Sequence, residues 1–181
     1  NDASLAHGSA NFRADGLAGV DCVELTDARF EASFGATFGE PYAVFALAAN
    51  TATNFNMLYS DNPVPGTGFV AFKCYESGSY SWKINGTSDP NFGSSDTNAH
   101  VWGTNFVADD GEFREDGISV ATNFADSGSN GLDGIAVGGR PDGSVPAASD
   151  LKIVELLVYS ADESGNFAEI EDYLDRDSAL V

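Results

Sequence analysis

The sequence predicts an all-β fold, an antiparallel sandwich with one short helix near its C-terminal end. Apolar segments of strand length recur at short intervals and are separated by Gly, Asn, Asp and Pro residues, a pattern typical of such sandwiches. A convincing helical pattern occurs only in residues 161–176. With 181 residues the chain has the length of one domain and can bury an adequate core. Its two cysteines, Cys22 and Cys74, are too few for a disulfide framework, and we expect buried free thiols.

The N-terminal half is predicted to consist of an arm followed by strands. Residues 1–19 are polar, rich in Ala and Gly and weakly patterned, so we expect an extended arm or edge segment before a single sandwich domain at residues 20–181. Residues 41–49 form a continuous apolar run that suits a central strand. Residues 85–98 are predicted to be a long loop that opens with the hairpin-turn pair Asn85-Gly86. Further segments with strand character are residues 20–25, 55–60, 68–75 and 79–84.

The C-terminal segment is predicted to form a buried strand and an amphipathic helix. Residues 150–160 present two nearly apolar faces, as expected of a strand buried on both sides, and only Glu155 interrupts them. One face comprises Val154, Leu156 and Val158, and the other Ile153, Leu157 and Tyr159. Ser160 and Glu163 have the spacing of a capping box, which predicts the start of the helix. The apolar stripe of the helix comprises Phe167, Ile170, Tyr173 and Leu174.

Three segments resemble the concanavalin A-like, laminin-G-like jelly-roll domains. The strand VELLVY, followed by the helix EIEDYL, is similar to the last strand and trailing helix of that family. Residues 99–122 resemble its middle hairpin, in which an H-x-W strand with His100 and Trp102 leads through an acidic turn to a strand bearing the Asp116-Gly117 pair. Residues 131–140 resemble its short IxVGG strand. The resemblance implies a jelly-roll fold, which hosts lectins, adhesion modules, glycanases and virion surface proteins.

The charge balance limits the partners of the chain. It has 28 acidic and 8 basic residues, a formal net charge of −20 at pH 7. Such a surface repels nucleic acid and anionic membranes, so neither is an expected partner. An acidic surface fits a saline environment, where counterions screen self-repulsion, and it equally fits ordinary solubility charge.

Catalytic constellations are weak in this sequence. Hydrolysis of polysaccharides needs two carboxylates about 5 to 10 Å apart, and the E-x-D-x-E strand pattern of sandwich glucanases does not occur. Superficial carboxylate pairs are Glu24 with Asp27, and Glu112 and Glu115 with Asp116, the second group in a predicted acidic turn. His7 and His100 are the only histidines, too few for a typical zinc site or Ser-His triad. The sequence therefore predicts no catalytic residue.

Aromatic side chains are the best candidates for ligand contact, because flat rings stack on sugar faces. The predicted glycan-binding residues are Tyr75, Tyr80, Trp82 and Trp102. Tyr80 and Trp82 share one face of their strand. Aromatic residues that alternate along a sandwich strand are more often core, and this alternative is favoured for Trp102 and stays open for Trp82.

Several carboxylates have candidate binding or structural roles. Asp109, Asp110 and Asp116 are candidate calcium ligands, since Ca²⁺ prefers oxygen, although an Asp-Asp-Gly sequence more often closes a hairpin. Glu155 lies in a strand predicted to be buried, so its charge must be paired or its pKa shifted. We expect it to be a structural acceptor for backbone amides or for Arg140 rather than a functional group.

Together these observations predict a non-catalytic extracellular or particle-surface module that binds glycans or other surface groups. The alternative is a structural decoration, fibre or coat subunit of a virus or surface assembly, in which residues 1–19 and the sandwich edges contact copies of the chain or other coat subunits. A polysaccharide-cleaving enzyme is the third hypothesis, and it requires a carboxylate pair that the pattern does not reveal.

Overall fold

The computed structural model describes residues 4–17, 19–51, 57–61, 71–76, 79–84, 87–92, 96–108, 110–124, 132–139 and 149–175. These stretches contain twelve β-strands and one α-helix. The strands are β1 Ser4–Leu17, β2 Val20–Phe38, β3 Tyr42–Asn50, β4 Met57–Asp61, β5 Ala71–Glu76, β6 Ser79–Ile84, β7 Thr87–Phe92, β8 Ala99–Phe106, β9 Gly111–Glu115, β10 Ile118–Phe124, β11 Leu132–Val137 and β12 Ser149–Tyr159, and the helix is α1 Phe167–Asp175. No helix in these stretches is long and apolar enough to cross a membrane.

The strands pair antiparallel and build a two-layered jelly-roll sandwich, which confirms the predicted fold class. Their order is β10-β9-β8-β3-β12-β2-β11-β4-β5-β6-β7. β2 links the two layers, because its first half pairs with β12 and its second half with β11. β1 runs along the other edge of β2, from Leu17 opposite Val20 to Ser4 opposite Glu31. Within the segment predicted as an arm or edge, Ser4–Leu17 thus forms a strand that pairs with β2.

The main core lies between the two layers. Tyr42 and Phe106 stack there, with ring centroids 4.6 Å apart. Full burial of each large apolar side chain contributes about 1.5–3 kcal/mol. Cys22 lies in a smaller cluster as a buried free thiol, and burial raises its pKa. The buried members of the main core are Leu25, Ala28, Tyr42, Val44, Ala46, Ala48, Leu58, Trp102, Phe106, Phe113, Leu132, Ile135 and Leu151.

A second cluster covers the other face of β3, so that this strand, predicted as a central one, is buried on both faces. Phe45 and Leu47 point to this face and pack under α1. Gly103 of β8 leaves room for the Phe45 ring, because a Cβ at position 103 would lie 2.8 Å from that ring. The predicted stripe of α1 is buried except for Tyr173, which is exposed. The buried apolar residues of α1 are Phe167, Ile170 and Leu174.

The helix begins later than the predicted capping box. The carbonyl of Asn166 accepts a helical hydrogen bond from Ile170 N–H at 3.0 Å, and α1 starts at Phe167. Glu163 N–H instead donates to Asn105 Oδ1 at 3.3 Å. Ser160 and Glu163 therefore do not form a capping box, because Glu163 is bonded to β8 and the helix starts four residues later.

β12 contains an irregularity that changes the predicted faces. Its register against β3 shifts between Ile153 and Glu155. As a result Ile153 packs on the main core with Leu156 and Val158, while Val154 packs on the opposite cluster. An extra residue in one strand of a pair has this effect, because it breaks the two-residue alternation.

Two strands extend beyond the predicted segments. β2 continues to Phe38, and β7 occupies residues 87–92 of the predicted loop. Both are defined by pairing with distant strands rather than by local alternation, and such pairing commonly overrides weak propensity. Asn85 and Gly86, the predicted turn between β6 and β7, lie outside the described residues.

Candidate functional site

The Asp116-Gly117 pair forms the tight turn between β9 and β10. Both residues have positive φ, 49° and 78°, as a type I′ hairpin turn requires. The prediction that this pair lies in a strand, with Glu112 and Glu115 in an acidic turn, is wrong: both glutamates lie in β9. The turn geometry decides the register, which brings the Asp116 carboxylate back onto β8.

At that point Asp116 meets His100. The His100 Nδ1 donates to Asp116 Oδ2 at 2.7 Å, and Nε2 donates to Asp96 Oδ1 at 3.0 Å. Glu115 Oε1 lies 3.4 Å from Nδ1. We call Asp96, His100, Glu115 and Asp116 the His100 cluster. Its imidazole lies against the ring of Trp102, a main-core residue, with centroids 5.3 Å apart.

The carboxylates of the His100 cluster hold the imidazole in its charged form. Burial lowers the pKa of His100, but the hydrogen bonds to Asp116 and Asp96 outweigh burial and raise this pKa from 6.5 to about 9. Burial raises the pKa of Glu115, opposed by the positive charge of His100. At neutral pH His100 is therefore an imidazolium within a carboxylate cage.

Asp110 and Asp116, two of the three predicted calcium ligands, do not meet. Asp110 precedes β9 and Asp116 follows it, so the five residues of β9, roughly 17 Å at about 3.3 Å per residue, separate them. Asp109 lies outside the described residues. Among the described residues, ligand atoms of His100, Glu115 and Asp116 come within 4.8 Å of one another. The imidazolium already supplies positive charge there, and Ca²⁺ prefers a shell of oxygen atoms, so a proton suits this cluster better than calcium.

Of the carboxylates considered for catalysis, Glu115 and Asp116 lie together, and both face the His100 imidazolium, whereas the others are separated. Alternation along β9 places Glu112 on the face that meets α1 and Glu115 on the face towards the main core. Glu24 pairs with an arginine of β1 at 2.7 Å, and Asp27 lies 3.7 Å from a histidine of β1. These four carboxylates thus have different partners and do not form the facing pair of a glycosidase.

The predicted stacking residues occupy two environments. Trp102 is 2% exposed within the main core, so the prediction that it contacts a glycan is wrong, because its ring is enclosed by the two layers. Tyr75 lies in β5, and Tyr80 and Trp82 lie in β6. β6 pairs with β5 and β7. A stacking role for these three residues stays a prediction.

Glu155 follows the irregularity in β12 and is half-buried. Its Oε1 accepts a hydrogen bond from the Tyr173 hydroxyl at 3.1 Å. This contact links β12 to α1. The predicted alternative partner, Arg140, lies outside the described residues.

A cavity of about 350 Å³ lies beside the C-terminal ends of β1 and β3. Its apolar lining comes from Leu17 of β1 and Ala49 of β3. Its polar lining comes from Glu24, Asn50, Thr51, Thr97 and Lys152. We call these seven residues the rim cavity. It adjoins the His100 cluster, because Asn50 Nδ2 donates to the Asp96 carbonyl at 3.4 Å.

Asn50 is the unusual member of the rim cavity. It is 3% exposed, and its Oδ1 is buried without a hydrogen-bond partner among the described residues. Leaving a buried acceptor unpaired costs about 1–3 kcal/mol. Asn105, 2% exposed, provides the contrast: its Nδ2 donates to Asp162 Oδ1 at 2.7 Å, and its Oδ1 accepts from Glu163 N–H. Two asparagines are thus equally buried, but only one is fully bonded.

A second cavity, of about 340 Å³, lies between the β9–β10 turn and α1. Arg114 on its wall binds Glu171 through two hydrogen bonds, Nε to Oε1 at 2.8 Å and Nη2 to Oε2 at 3.1 Å. Its guanidinium also lies 5.0 Å from the centre of the Phe167 ring. These contacts of Arg114 fix α1 to β9. The surplus of carboxylates around the cavity suits cations better than sugars. The acidic residues that line it are Asp116, Glu171, Asp172 and Asp175.

The sequence reasoning missed the rim cavity. Its lining residues are separated by up to 135 positions in sequence, from Leu17 to Lys152, and meet only because β1, β3 and β12 share one layer. One local signal existed. Asn50 ends the apolar run of β3, and an amide at the end of a fully buried strand requires bonding partners.

Neither a protein-family model nor a curated protein matches this sequence. Solved structures do. Trypanosoma rangeli sialidase in complex with the inhibitor DANA matches with a TM-score of 0.70 and 11% identity, over 97% of this chain and 30% of that one. Domain 4 of AbnA, a GH43 extracellular arabinanase from Geobacillus stearothermophilus, in complex with arabinotriose, matches with a TM-score of 0.64 and 10% identity, over 87% of this chain and 81% of that one. Domains LG4-5 of the mouse laminin α1 chain match with a TM-score of 0.56 and 12% identity, over 73% and 39%.

The chain has a concanavalin A-like, laminin-G-like fold. The resemblance of its three sequence segments to that family is thereby confirmed for the fold. The chain spans less than a third of the sialidase chain but most of AbnA domain 4. At these identities the likeness to the concanavalin A-like structures concerns architecture, and function has to be argued from the site.

Proposed function

We propose that this domain is a non-catalytic extracellular module that binds uncharged glycans. The observation that most supports the proposal is the match to AbnA domain 4, because it extends over 81% of a separate domain whose structure contains arabinotriose. A fold alone hosts many functions. The net charge of the chain and the polar groups of its sites therefore have to decide which of these functions it has.

The net charge of −20 favours uncharged ligands. A field of this sign repels glycans that carry sialic or uronic acids, most strongly at low salt. Neutral oligosaccharides experience no such repulsion. They are held by hydrogen bonds and by contact with apolar surface, neither of which depends strongly on salt.

The positions of the carboxylates of β9 and of its turn support a non-catalytic role. Hydrolysis requires an acid and a second carboxylate facing the same bond. Glu112 and Glu115 lie on opposite faces of β9, and Glu115 and Asp116, which do lie together, both face the His100 imidazolium. The carboxylates with perturbed environments therefore contribute to structure.

The aromatic residues of β5 and β6 are proposed as additional glycan contacts. Ring stacking gives area without charge, which suits a neutral ligand. Replacing Trp82 by Ala should abolish glycan retention if its ring stacks on the sugar. Unchanged retention together with lower stability would instead place the ring in the core.

A glycan array tests the proposed function. The purified chain is applied to immobilised neutral oligosaccharides, including arabinotriose, and to sialylated ones, at 0.15 M and at 1 M NaCl. We expect retention on a subset of neutral glycans at both salt concentrations, with no new reducing ends after incubation. Retention on no glycan, or cleavage of the retained glycan, would overturn the proposal.

A structural coat or decoration subunit is the second candidate function. It is favoured by β1, an edge strand that exposes Leu5 and, at 68%, Phe12. Exposed apolar edges pair readily with other chains. Light scattering in the array buffers separates the two candidates: assembly through β1 without glycan retention supports the coat role, and a small closed species that retains glycan supports the module.

A further inference from the structure

We propose that the rim cavity is the glycan subsite of this domain and that the buried Asn50 amide is its anchoring contact. This inference rests on the proposed function and adds the place and the chemistry of binding. Asn50 lines the cavity, and its buried Oδ1 has no hydrogen-bond partner among the described residues. Buried acceptors are normally bonded, and a sugar hydroxyl can supply the donor that this one lacks.

The remaining lining matches the two kinds of surface that a sugar ring presents. Leu17 and Ala49 form an apolar base suited to ring C–H groups. Thr51 and Thr97, both exposed, add hydroxyls that donate and accept, as do the hydroxyls of a sugar. A volume of about 350 Å³ lies near the lower end of the roughly 300–1,000 Å³ typical of ligand sites. This suits a small terminal unit of a glycan.

The charges around the cavity are balanced, which favours an uncharged ligand. Lys152 and Glu24 are the charged lining residues, one of each sign. Lys152 Nζ donates to the Gly16 carbonyl at 2.8 Å, and Glu24 Oε2 accepts from Arg13 Nε at 2.7 Å. The Glu24 charge is paired with Arg13, and the Lys152 ammonium is bonded to a carbonyl, so an ionic ligand of either sign would meet a like charge in this lining.

Affinity measurements on variants test the assignment. The neutral oligosaccharide most strongly retained on the array is titrated into the full chain and into Asn50→Leu, Thr97→Val and Thr26→Val. The first two remove polar groups of the cavity. Thr26→Val is the matched control, an exposed threonine of β2 outside it. We expect roughly tenfold weaker binding for Asn50→Leu and roughly threefold for Thr97→Val, with wild-type affinity for Thr26→Val.

The side-chain amide resonances give a second readout that needs no folded variant for its interpretation. In an NMR titration of the wild-type chain with the same oligosaccharide, the Asn50 amide signals should shift, while those of the equally buried Asn105 should not. Wild-type binding that survives in both cavity variants and leaves the Asn50 signals unmoved would overturn the subsite and leave the module function standing. A wild-type chain that binds no glycan would overturn both.

Discussion

Replacing each of the two buried asparagines by leucine should have opposite consequences for stability. Leucine has the same number and branching of side-chain heavy atoms as asparagine but no polar ones, so the substitution removes hydrogen bonds and unpaired groups without opening a cavity. In Asn105→Leu the bond to Asp162 is lost, and Glu163 N–H loses its acceptor. A bond to a charged group contributes about 1.5–3 kcal/mol, and an unpaired donor costs a similar amount. We expect a loss of about 2–4 kcal/mol.

Asn50→Leu should leave the free energy of unfolding within about 1 kcal/mol of wild type, or raise it. It removes one long hydrogen bond of 3.4 Å and at the same time an acceptor that has no partner among the described residues. Urea denaturation at pH 7, followed by circular dichroism, measures both variants against wild type. Equal losses of 2 kcal/mol or more would refute the reasoning, because Asn50 would then be a structural residue whose bonds matter to the fold.

Further predictions concern the His100 cluster, the Arg114 pair and the main core. The pKa of His100 is raised to about 9 in the folded chain, so the stability that the imidazolium contributes is complete below pH 6.5 and is lost as the pH rises through about 9. The free energy of unfolding should therefore fall by up to about 3 kcal/mol across that window. The variant His100→Gln should show a flatter dependence of stability on pH. Arg114→Met should lower the free energy of unfolding by about 3 kcal/mol in urea denaturation, because it leaves the buried Glu171 carboxylate unpaired. The matched variant Arg13→Met removes one partner of an exposed pair, and its stability should stay close to that of wild type. Trp102→Ala should lower stability by about 3–5 kcal/mol without changing the glycan affinity of the folded protein; a selective loss of affinity would contradict its place in the core.

Local patterns in the sequence were sufficient for the parts of the fold that depend on periodicity. The apolar run of β3 and the stripe of α1 predicted a central strand and a packed helix, because burial on a given face follows from spacing along one element. The irregularity in β12 was not predictable in this way. It depends on how β12 pairs with β2 and β3, which are distant in sequence.

The candidate sites depended on register and could not be read from spacing. Asp116 was noted as a metal ligand, but its partner proved to be His100, which the β8–β9 register and the tight turn bring to it. The rim cavity combines residues of four strands and two connecting segments. Only the amide of Asn50, at the end of a wholly apolar run, gave a local indication that something polar belongs there.

A crystal structure of the chain grown with the neutral oligosaccharide that it retains most strongly tests the central claim most directly. The account predicts sugar density in the rim cavity, with a hydroxyl within about 3 Å of Asn50 Oδ1 and no cation beside the ligand. Sugar density elsewhere on the sandwich, with the cavity filled by water alone, would contradict it.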